Sequence, residues 1–228
     1  MVSLVASTPT FVQSLLEDER AALLATGRAC RWETAETLVR RGDKADSAIV
    51  ILVGLVKIHT SVEGVEVLLG LSGPGDLLGE ATAAARDAVR SATATALEPV
   101  EGVVVSVPSV RAFLAAHPRA TLALLDLALA RLYIADARRM EFATSESLAR
   151  VAGRLVELAE RFGVGRGDGA IDVALPITQE ELASWSASSR ESTARALRTL
   201  RQLRLIETYR RGLTVLDLDG LRSHTARL

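Results

Sequence analysis

Ile177-Thr-Gln-Glu-Glu-Leu-Ala-Ser-Trp-Ser-Ala-Ser-Ser-Arg-Glu-Ser-Thr-Ala-Arg-Ala-Leu-Arg-Thr-Leu-Arg-Gln-Leu-Arg-Leu-Ile206 reads as two helices joined by a tight turn. Thr178 is a good N-cap, and Glu181 three residues later completes a capping box. The first helix is predicted from about Gln179 to Trp185, with Ser186, Ala187 and Ser188 as the turn. Ser188 or Ser189 can cap the second helix, and Glu191 in its first turn complements the helix dipole. Ala194, Leu197, Leu200, Leu203 and Leu205 supply an apolar side at helical spacing. Arg190, Arg195, Arg198, Arg201 and Arg204 lie mostly off that side, against the single acid Glu191. A cationic second helix after a short first one is the layout of a DNA-binding helix-turn-helix. An amphipathic hairpin with a solvated arginine face has the same charge pattern. Residue order separates the two: Arg190 and Glu191 stand where the second helix begins, the end that enters a major groove. Arg can grip guanine O6 and N7 together, and Glu can accept from cytosine N4.

Ser189-Arg-Glu-Ser-Thr-Ala-Arg195 resembles the Ser-Arg-Glu-Thr-Val-x-Arg recognition-helix motif of the cAMP receptor protein/FNR (Crp/Fnr) family of bacterial transcription regulators. The resemblance implies that Arg190, Glu191 and Arg195 read bases, with Thr178 and Ser189 at the two helix starts beside the DNA. It implies a homodimer on a palindromic double-stranded operator, working with RNA polymerase; the single cysteine and the lack of a long apolar run lead to the expectation of a cytoplasmic protein, and the lack of catalytic motifs to that of a non-enzyme.

The composition agrees with a soluble chain carrying local rather than global DNA-binding charge. Hydrophobic residues make up 49% and the formal net charge is −1. From Thr178 onward, however, nine arginines face six acids. One cysteine, Cys30, excludes an internal disulfide and an Fe–S cluster held by several thiolates. His59, His117 and His224 are scattered without metal-ligand spacing, so no metal is expected. No Ser-His-acid order, catalytic carboxylate pair or Walker loop is present. No apolar run approaches the length of a membrane span.

Residues 10–28 read as a helical entry, with Phe11, Leu15, Leu16, Ala22, Leu23 and Leu24 on one side. From 33 to 75 the pattern changes to short β-type runs: Leu38-Val39, 48–53, 55–58 and 65–71. Glycine turns punctuate them, and 102–107 closes the set. These predict an antiparallel roll. Pro108 and Ser109 open a helical stretch to about His117. Pro118 begins a long helix to about Thr144, in which Leu122, Leu125, Leu129 and Leu132 form a short heptad seam. That seam either lies on its own core or pairs with a second copy; the resemblance favours the pair.

Gly79-Glu80, with Arg90-Ser91 ten residues after the pair, resembles the phosphate-binding cassette of cyclic-nucleotide-binding domains. The chemistry suits a phosphate beside a hydroxyl. Arg90 offers a permanent fork of donors, a helix start after Gly79 offers free N–H groups, and Glu80 can accept from a ribose hydroxyl. The resemblance implies that Gly79 and Glu80 meet the ribose and that Arg90 and Ser91 hold a cyclic phosphate. The alternative is a capped turn with Arg90 paired to Glu80 and no ligand. Where the family's adenine contacts would fall, this chain has Ala135 and Asp136. Ala135 has no polar group to offer, which turns the expectation from cAMP alone toward cAMP or another cyclic nucleotide. Asp136, with Arg138 or Arg139, supplies a different base contact or a salt bridge across the dimer.

The next helix is expected from Ser147 to Phe162, capped by Ser145, with Leu148, Val151, Leu155, Leu158 and Ala159 inward. After a short strand at 171–175 and the two helices, strands at 205–209 and 213–216 flank Arg210-Arg-Gly212. That is a wing whose arginines, Arg210 and Arg211, touch phosphate. A short helix between Asp217 and Ala226 ends the chain. The predicted class is α+β in three parts: a cyclic-nucleotide-binding-type β-roll over 1–117, a long dimerisation helix over 118–144, and a winged helix-turn-helix over 145–228. The leading expectation is an effector-controlled regulator needing no resident cofactor. Its alternative is constitutive DNA binding with a degenerate or different-ligand pocket. A ligand-binding or scaffold protein whose helix-turn-helix touches another protein lacks a use for the arginines.

Overall fold

The computed structural model describes residues 9–80, 88–174 and 176–225. The chain divides into two compact units. One gathers 8–64 and 69–131; the other gathers 132–228 with 65–68.

A 3₁₀ turn (Val12–Ser14) and helix α1 (Glu17–Ala25) precede eight strands, all in the first unit except 65–68 of the fifth. These are β1 (Arg28–Trp32), β2 (Thr37–Val39), β3 (Ser47–Val53), β4 (Val56–Val62), β5 (Val65–Ser72), β6 (Leu77–Leu78), β7 (Thr93–Ala96) and β8 (Val100–Ser106). They form two four-stranded sheets, ordered β1-β8-β3-β6 and β2-β7-β4-β5. Alternation along β3 shows why a roll results, because successive side chains point to opposite faces. Ile49 and Ile51 join Val56, Leu78, Ala94, Ala96 and Val100 in the core between strands. Ala48 and Val50 face the other way, into a core with Phe11, Leu15, Leu23, Val103, Val105, Val110 and Phe113. That second core is closed by α1, by helix α2 (Val107–Ala116) and by Ala120 of helix α3 (Pro118–Thr144).

Three strands of this unit were not foreseen from sequence: β1, β7 and the two-residue β6. β1 carries Arg28 and Arg31 outward, so it lacks a hydrophobic run, yet it pairs antiparallel with β8 from Arg28↔Val104 to Trp32↔Val100. β7, Thr-Ala-Thr-Ala, lacks bulk, but its period-two alternation buries Ala94 and Ala96. Other expectations need correction. Leu16 sits at the N-cap of α1, 47% exposed, rather than in the core. Val107 starts α2, whose N-cap Ser106 accepts from the Ser109 N–H, instead of ending β8.

The second unit contains the latter half of α3 and then α4 (Ser147–Phe162), β9 (Val164–Gly165), β10 (Ile171–Ala174), α5 (Gln179–Trp185), α6 (Arg190–Gln202), β11 (Ile206–Tyr209), β12 (Gly212–Val215) and α7 (Leu218–Ser223). Its sheet runs β11-β12-β10-β9. α4 is its central post: every residue from Val151 to Ala159 is buried, including Arg154 and Glu157. Leu148, expected inward, is only half-buried. Ser145 does not cap α4. Glu146 occupies the N-cap without a side-chain hydrogen bond, and the Ser145 carbonyl accepts from Arg150 instead. Leu175, read as strand, lies outside the described residues. No described helix is long and apolar enough to cross a membrane.

Candidate nucleic-acid interface and effector pocket

Both helices of the decisive stretch start as their caps require. The Thr178 hydroxyl accepts from the Glu181 N–H at 3.1 Å, and the Glu181 carboxylate accepts from the Thr178 N–H at 2.7 Å. Ser189, not Ser188, caps α6, accepting from the Ser192 N–H at 3.1 Å. The buried side of α6 is Thr193, Ala196, Leu197 and Leu200. Leu197, Leu200 and Leu205 are buried as expected, whereas Ala194 is half-buried and Leu203 is 49% exposed. The exposure of Leu203 follows from the helix ending at Gln202. Leu203 is its C-cap and Arg204 turns out at φ +57°, which sends Leu205 and Ile206 inward to start the wing.

That register leaves Arg190, Glu191, Arg195, Arg198 and Arg201 exposed on the free side of α6. The Glu191 carboxyl is held below the usual carboxylate range by its own backbone N–H, then by the Ser189 hydroxyl and the Arg190 charge. It is therefore an acceptor at neutral pH, as a contact to cytosine N4 requires. Arg190 Nη1 lies 3.5 Å from Glu180 Oε2, an exposed pair that duplex contacts can displace at little cost. Beyond α6, β11 and β12 pair from Ile206↔Val215 to Tyr209↔Gly212 and turn at Arg210 and Arg211. Both arginines are exposed, and Arg211 takes a left-handed backbone at φ +64°.

The second site is in the roll. Gly79 has φ +82°, and a Cβ there would collide with Arg90 Nη1. Glycine thus serves two needs at once, a left-handed backbone and close approach by a guanidinium. Arg90 is 7% exposed. Its Nη2 donates to Ser47 Oγ at 3.1 Å and lies 3.9 Å from Asp46 Oδ1. Its Nη1 is buried with no acceptor among the described residues. Burial lowers the Arg90 pKa; Asp46 and Asp43 work against that shift. Backbone bonds from the Arg90 N–H to the Asp43 carbonyl and from the Gly42 N–H to the Arg90 carbonyl hold the segment.

Arg90 is not paired to Glu80. Glu80 forms its ion pair with Arg131, whose Nη2 also donates to the Leu77 carbonyl at 3.0 Å. Arg131 and Ser47 therefore belong to the site and were missed. They are far from Gly79-Glu80 in sequence, and no local spacing ties them to it. Ser91 is exposed beside Arg90. The expected helix start after Gly79 falls at 81–87, outside the described residues.

In the other unit, Asp136 and Arg139 pair with each other at 3.1 Å on the surface of α3. Arg138, read as a base contact or a cross-dimer bridge, instead places Nη2 between Glu157 Oε1 and Oε2 at 3.1 and 3.0 Å. The physical reason is Glu157, buried on α4 and in need of cations. Arg154 supplies a second one. Its Nη1 donates to Glu157 at 3.1 Å and its Nη2 to Glu141 at 2.6 Å. The Arg138 and Arg154 guanidinium carbons each lie 5.8 Å from the Trp185 ring centre.

Comparison with known proteins agrees with this geometry. Residues 29–117 match the cyclic nucleotide-binding domain, and residues 149–224 match the Crp-like helix-turn-helix domain. The CRP-like cAMP-activated global transcriptional regulator of Mycobacterium tuberculosis is 31% identical over 178 residues, covering 78% of this chain and 79% of that protein. The chain belongs to the Crp/Fnr family of transcription regulators. The cAMP-activated global transcriptional regulator CRP of Pasteurella multocida is 26% identical over 81% of this chain and 88% of that protein. In fold, this Crp/Fnr chain is similar to FixK2 from Bradyrhizobium japonicum, with a TM-score of 0.76 at 16% identity, over 89% of this chain and 98% of that one. It is likewise similar to the c-di-GMP responsive regulator CLP of Xanthomonas campestris, with a TM-score of 0.74 at 20% identity, over 87% and 98%. The protein is thus a DNA-binding regulator with a cyclic-nucleotide-binding-type domain, and its relatives are regulators rather than enzymes.

Proposed function

We propose that the chain acts as a cytoplasmic homodimer that binds a palindromic operator through α6 and the wing and contacts RNA polymerase. In this reading a cyclic nucleotide, cAMP foremost, in the roll shifts the balance between DNA-binding conformations. The division into a sensing roll, a long dimerisation helix and a winged helix-turn-helix carries over from the sequence. The observation that carries the reading is a capped helix with Arg190, Glu191 and Arg195 exposed on the side away from its core. Thr178 and Ser189 stand at the two helix starts. The Arg210 and Arg211 tip supplies phosphate contacts.

Arg190→Ala is expected to cost about 1–3 kcal/mol of discrimination against a mismatched base at its position. Fluorescence anisotropy against a palindrome selected by the wild-type protein measures this. Unchanged discrimination would rule out the recognition role.

Support for the dimer is the heptad seam on α3. Leu122, Leu125, Leu129 and Leu132 remain between 41% and 62% exposed, so the described residues leave the seam largely uncovered. Two such seams in parallel bury leucines at roughly 1.5–3 kcal/mol each. Leu129→Glu should then sediment as a monomer at concentrations where the wild type is a dimer. Identical sedimentation of both would discard the α3 pairing.

Support for an effector is the buried guanidinium of Arg90, whose Nη1, beside Gly79, has no acceptor among the described residues. A cyclic phosphate supplies that acceptor, Ser91 adds a hydroxyl, and Arg131 aims Glu80 at a ribose hydroxyl. Asp136 and Arg139 remain candidates for the base. Arg138 drops from that set because Glu157 engages it.

A further inference from the structure

Arg150, at the start of α4, makes a set of contacts unlike any other cation described. Its Nε donates to the Ser186 carbonyl at 2.9 Å, and its Nη2 to the Ala187 carbonyl at 3.0 Å. Nη2 also lies 3.4 Å from the hydroxyls of Ser147 and Ser188. Nη1 donates to the Ser145 carbonyl, and the guanidinium carbon sits 5.8 Å from the ring of Phe142, in the last turn of α3. One side chain thus touches the end of α3, the two-residue link before α4, the first turn of α4 and the turn between α5 and α6.

The α5–α6 turn needs such a partner. The Ser188 N–H donates to the Ala183 carbonyl at 2.9 Å, and the Ala187 N–H to the Ser184 carbonyl at 3.0 Å. This is the paired bonding of a Schellman ending, whose left-handed position usually holds glycine. Here it holds Ala187 at φ +47°. A Cβ makes that conformation unfavourable for an L-residue. The turn also leaves the Ser186 and Ala187 carbonyls outside the α5 hydrogen-bond ladder. A guanidinium fork meets both carbonyls at once and sits where the helix dipole favours a cation.

We infer that Arg150 is a positioning residue for DNA recognition: its fork holds the glycine-free turn between α5 and α6 in the angle that presents Arg190 and Glu191, and ties that angle to the link at Ser145. The inference rests on the reading of α6 as the recognition helix. Arg150 itself touches no base. Its loss lets the turn relax and the two helices re-aim, while the exposed arginines that attract any duplex stay in place.

The test compares Arg150→Ala, Arg150→Lys, Arg150→Ala with Ala187→Gly, and Arg190→Ala as a control. Anisotropy is read on two duplexes of equal length, one a palindrome selected by the wild-type protein and one unrelated. Arg150→Ala is expected to weaken binding to the selected duplex about tenfold or more, which corresponds to about 1.4 kcal/mol, and to the unrelated duplex by less than about threefold. Arg150→Lys should be nearly as weak, because a point charge cannot serve carbonyls spread over a fork. Adding Ala187→Gly should recover a large part of the loss, since glycine adopts the left-handed turn without strain. That rescue keeps the test decisive even if Arg150→Ala alone unfolds, which circular dichroism would show. Near-wild-type selectivity in Arg150→Ala, parallel losses on both duplexes by a variant that circular dichroism shows to be folded, or no recovery with glycine would overturn the inference. If Arg190→Ala also leaves selectivity intact, the recognition-helix reading has failed as well.

Discussion

Calorimetry on Arg90→Met is expected to show cyclic-nucleotide affinity reduced by about 2–5 kcal/mol, the range for truncating one partner of a buried charged pair. Wild-type protein titrated with cAMP and with cGMP should release heat with at least one of them. The variant should show none at the same concentrations. A second readout separates a ligand residue from a structural one. Arg90 is 7% exposed, yet its nearest carboxylate is Asp46 at 3.9 Å, on a side chain that is 75% exposed. Its Nη1 has no acceptor among the described residues. A buried cation so weakly compensated contributes little to the empty fold and opposes it through desolvation. The ligand-free thermal midpoint of Arg90→Met should therefore equal or exceed that of the wild type. A large drop in the midpoint would show that the arginine is structural. No heat from wild-type protein with either nucleotide would favour constitutive binding or a different ligand.

Glu157→Leu should be the most damaging change in the DNA-binding unit, at roughly 3–5 kcal/mol of unfolding free energy, as for breaking a buried ion pair from one side. Glu157 is 4% exposed and accepts from Arg138 and Arg154, with Arg161 Nη1 at 4.0 Å. Without it, Arg154 keeps only Glu141 while its guanidinium stays buried. Burial already lowers the Arg154 pKa, and Glu157 is the largest influence raising it. Trp185 lies beside both arginines, so its fluorescence in a Trp32→Phe background follows this unit alone during urea unfolding. Glu157→Gln should fall between Leu and wild type, retaining hydrogen bonds but no charge. A loss under about 1 kcal/mol for Glu157→Leu would mean that the cluster is solvated or readily repacked.

These two residues mark different limits of sequence reading. Arg90 was found because the cassette is local: glycine, acid, arginine and serine stand within thirteen residues, and each has a stated task toward a phosphate. Its actual partners, Ser47 and Asp46, were not legible, because β3 brings them there through sheet pairing. Glu157, between Leu155 and Leu158, has no role assigned to it by the sequence pattern. Nothing in a helical period announces that α4 is buried on all sides, since that depends on how many elements pack around it. Arg138 was misread for the same reason, as a ligand for the effector or a partner copy when a carboxylate of its own unit was waiting.

By itself, the sequence determined what depends on neighbours a few residues apart. That includes the capping box of Thr178 and Glu181, the span of α5, the start of α6, the wing with its arginine tip, the leucine seam of α3 and the recognition motif from Ser189 to Arg195. Backbone hydrogen bonding and side-chain periodicity are local, so they can be read from one strip of residues. Tertiary structure alone decided which cations are available to a ligand. It sent Arg131 to Glu80 and Arg138 to Glu157, drew Arg150 across the helix-turn-helix turn, and left Arg90 buried with a donor that meets no acceptor among the described residues. The reason is that a charge removed from water must find its partner in space, and distance along the chain sets almost no constraint on which partner that is.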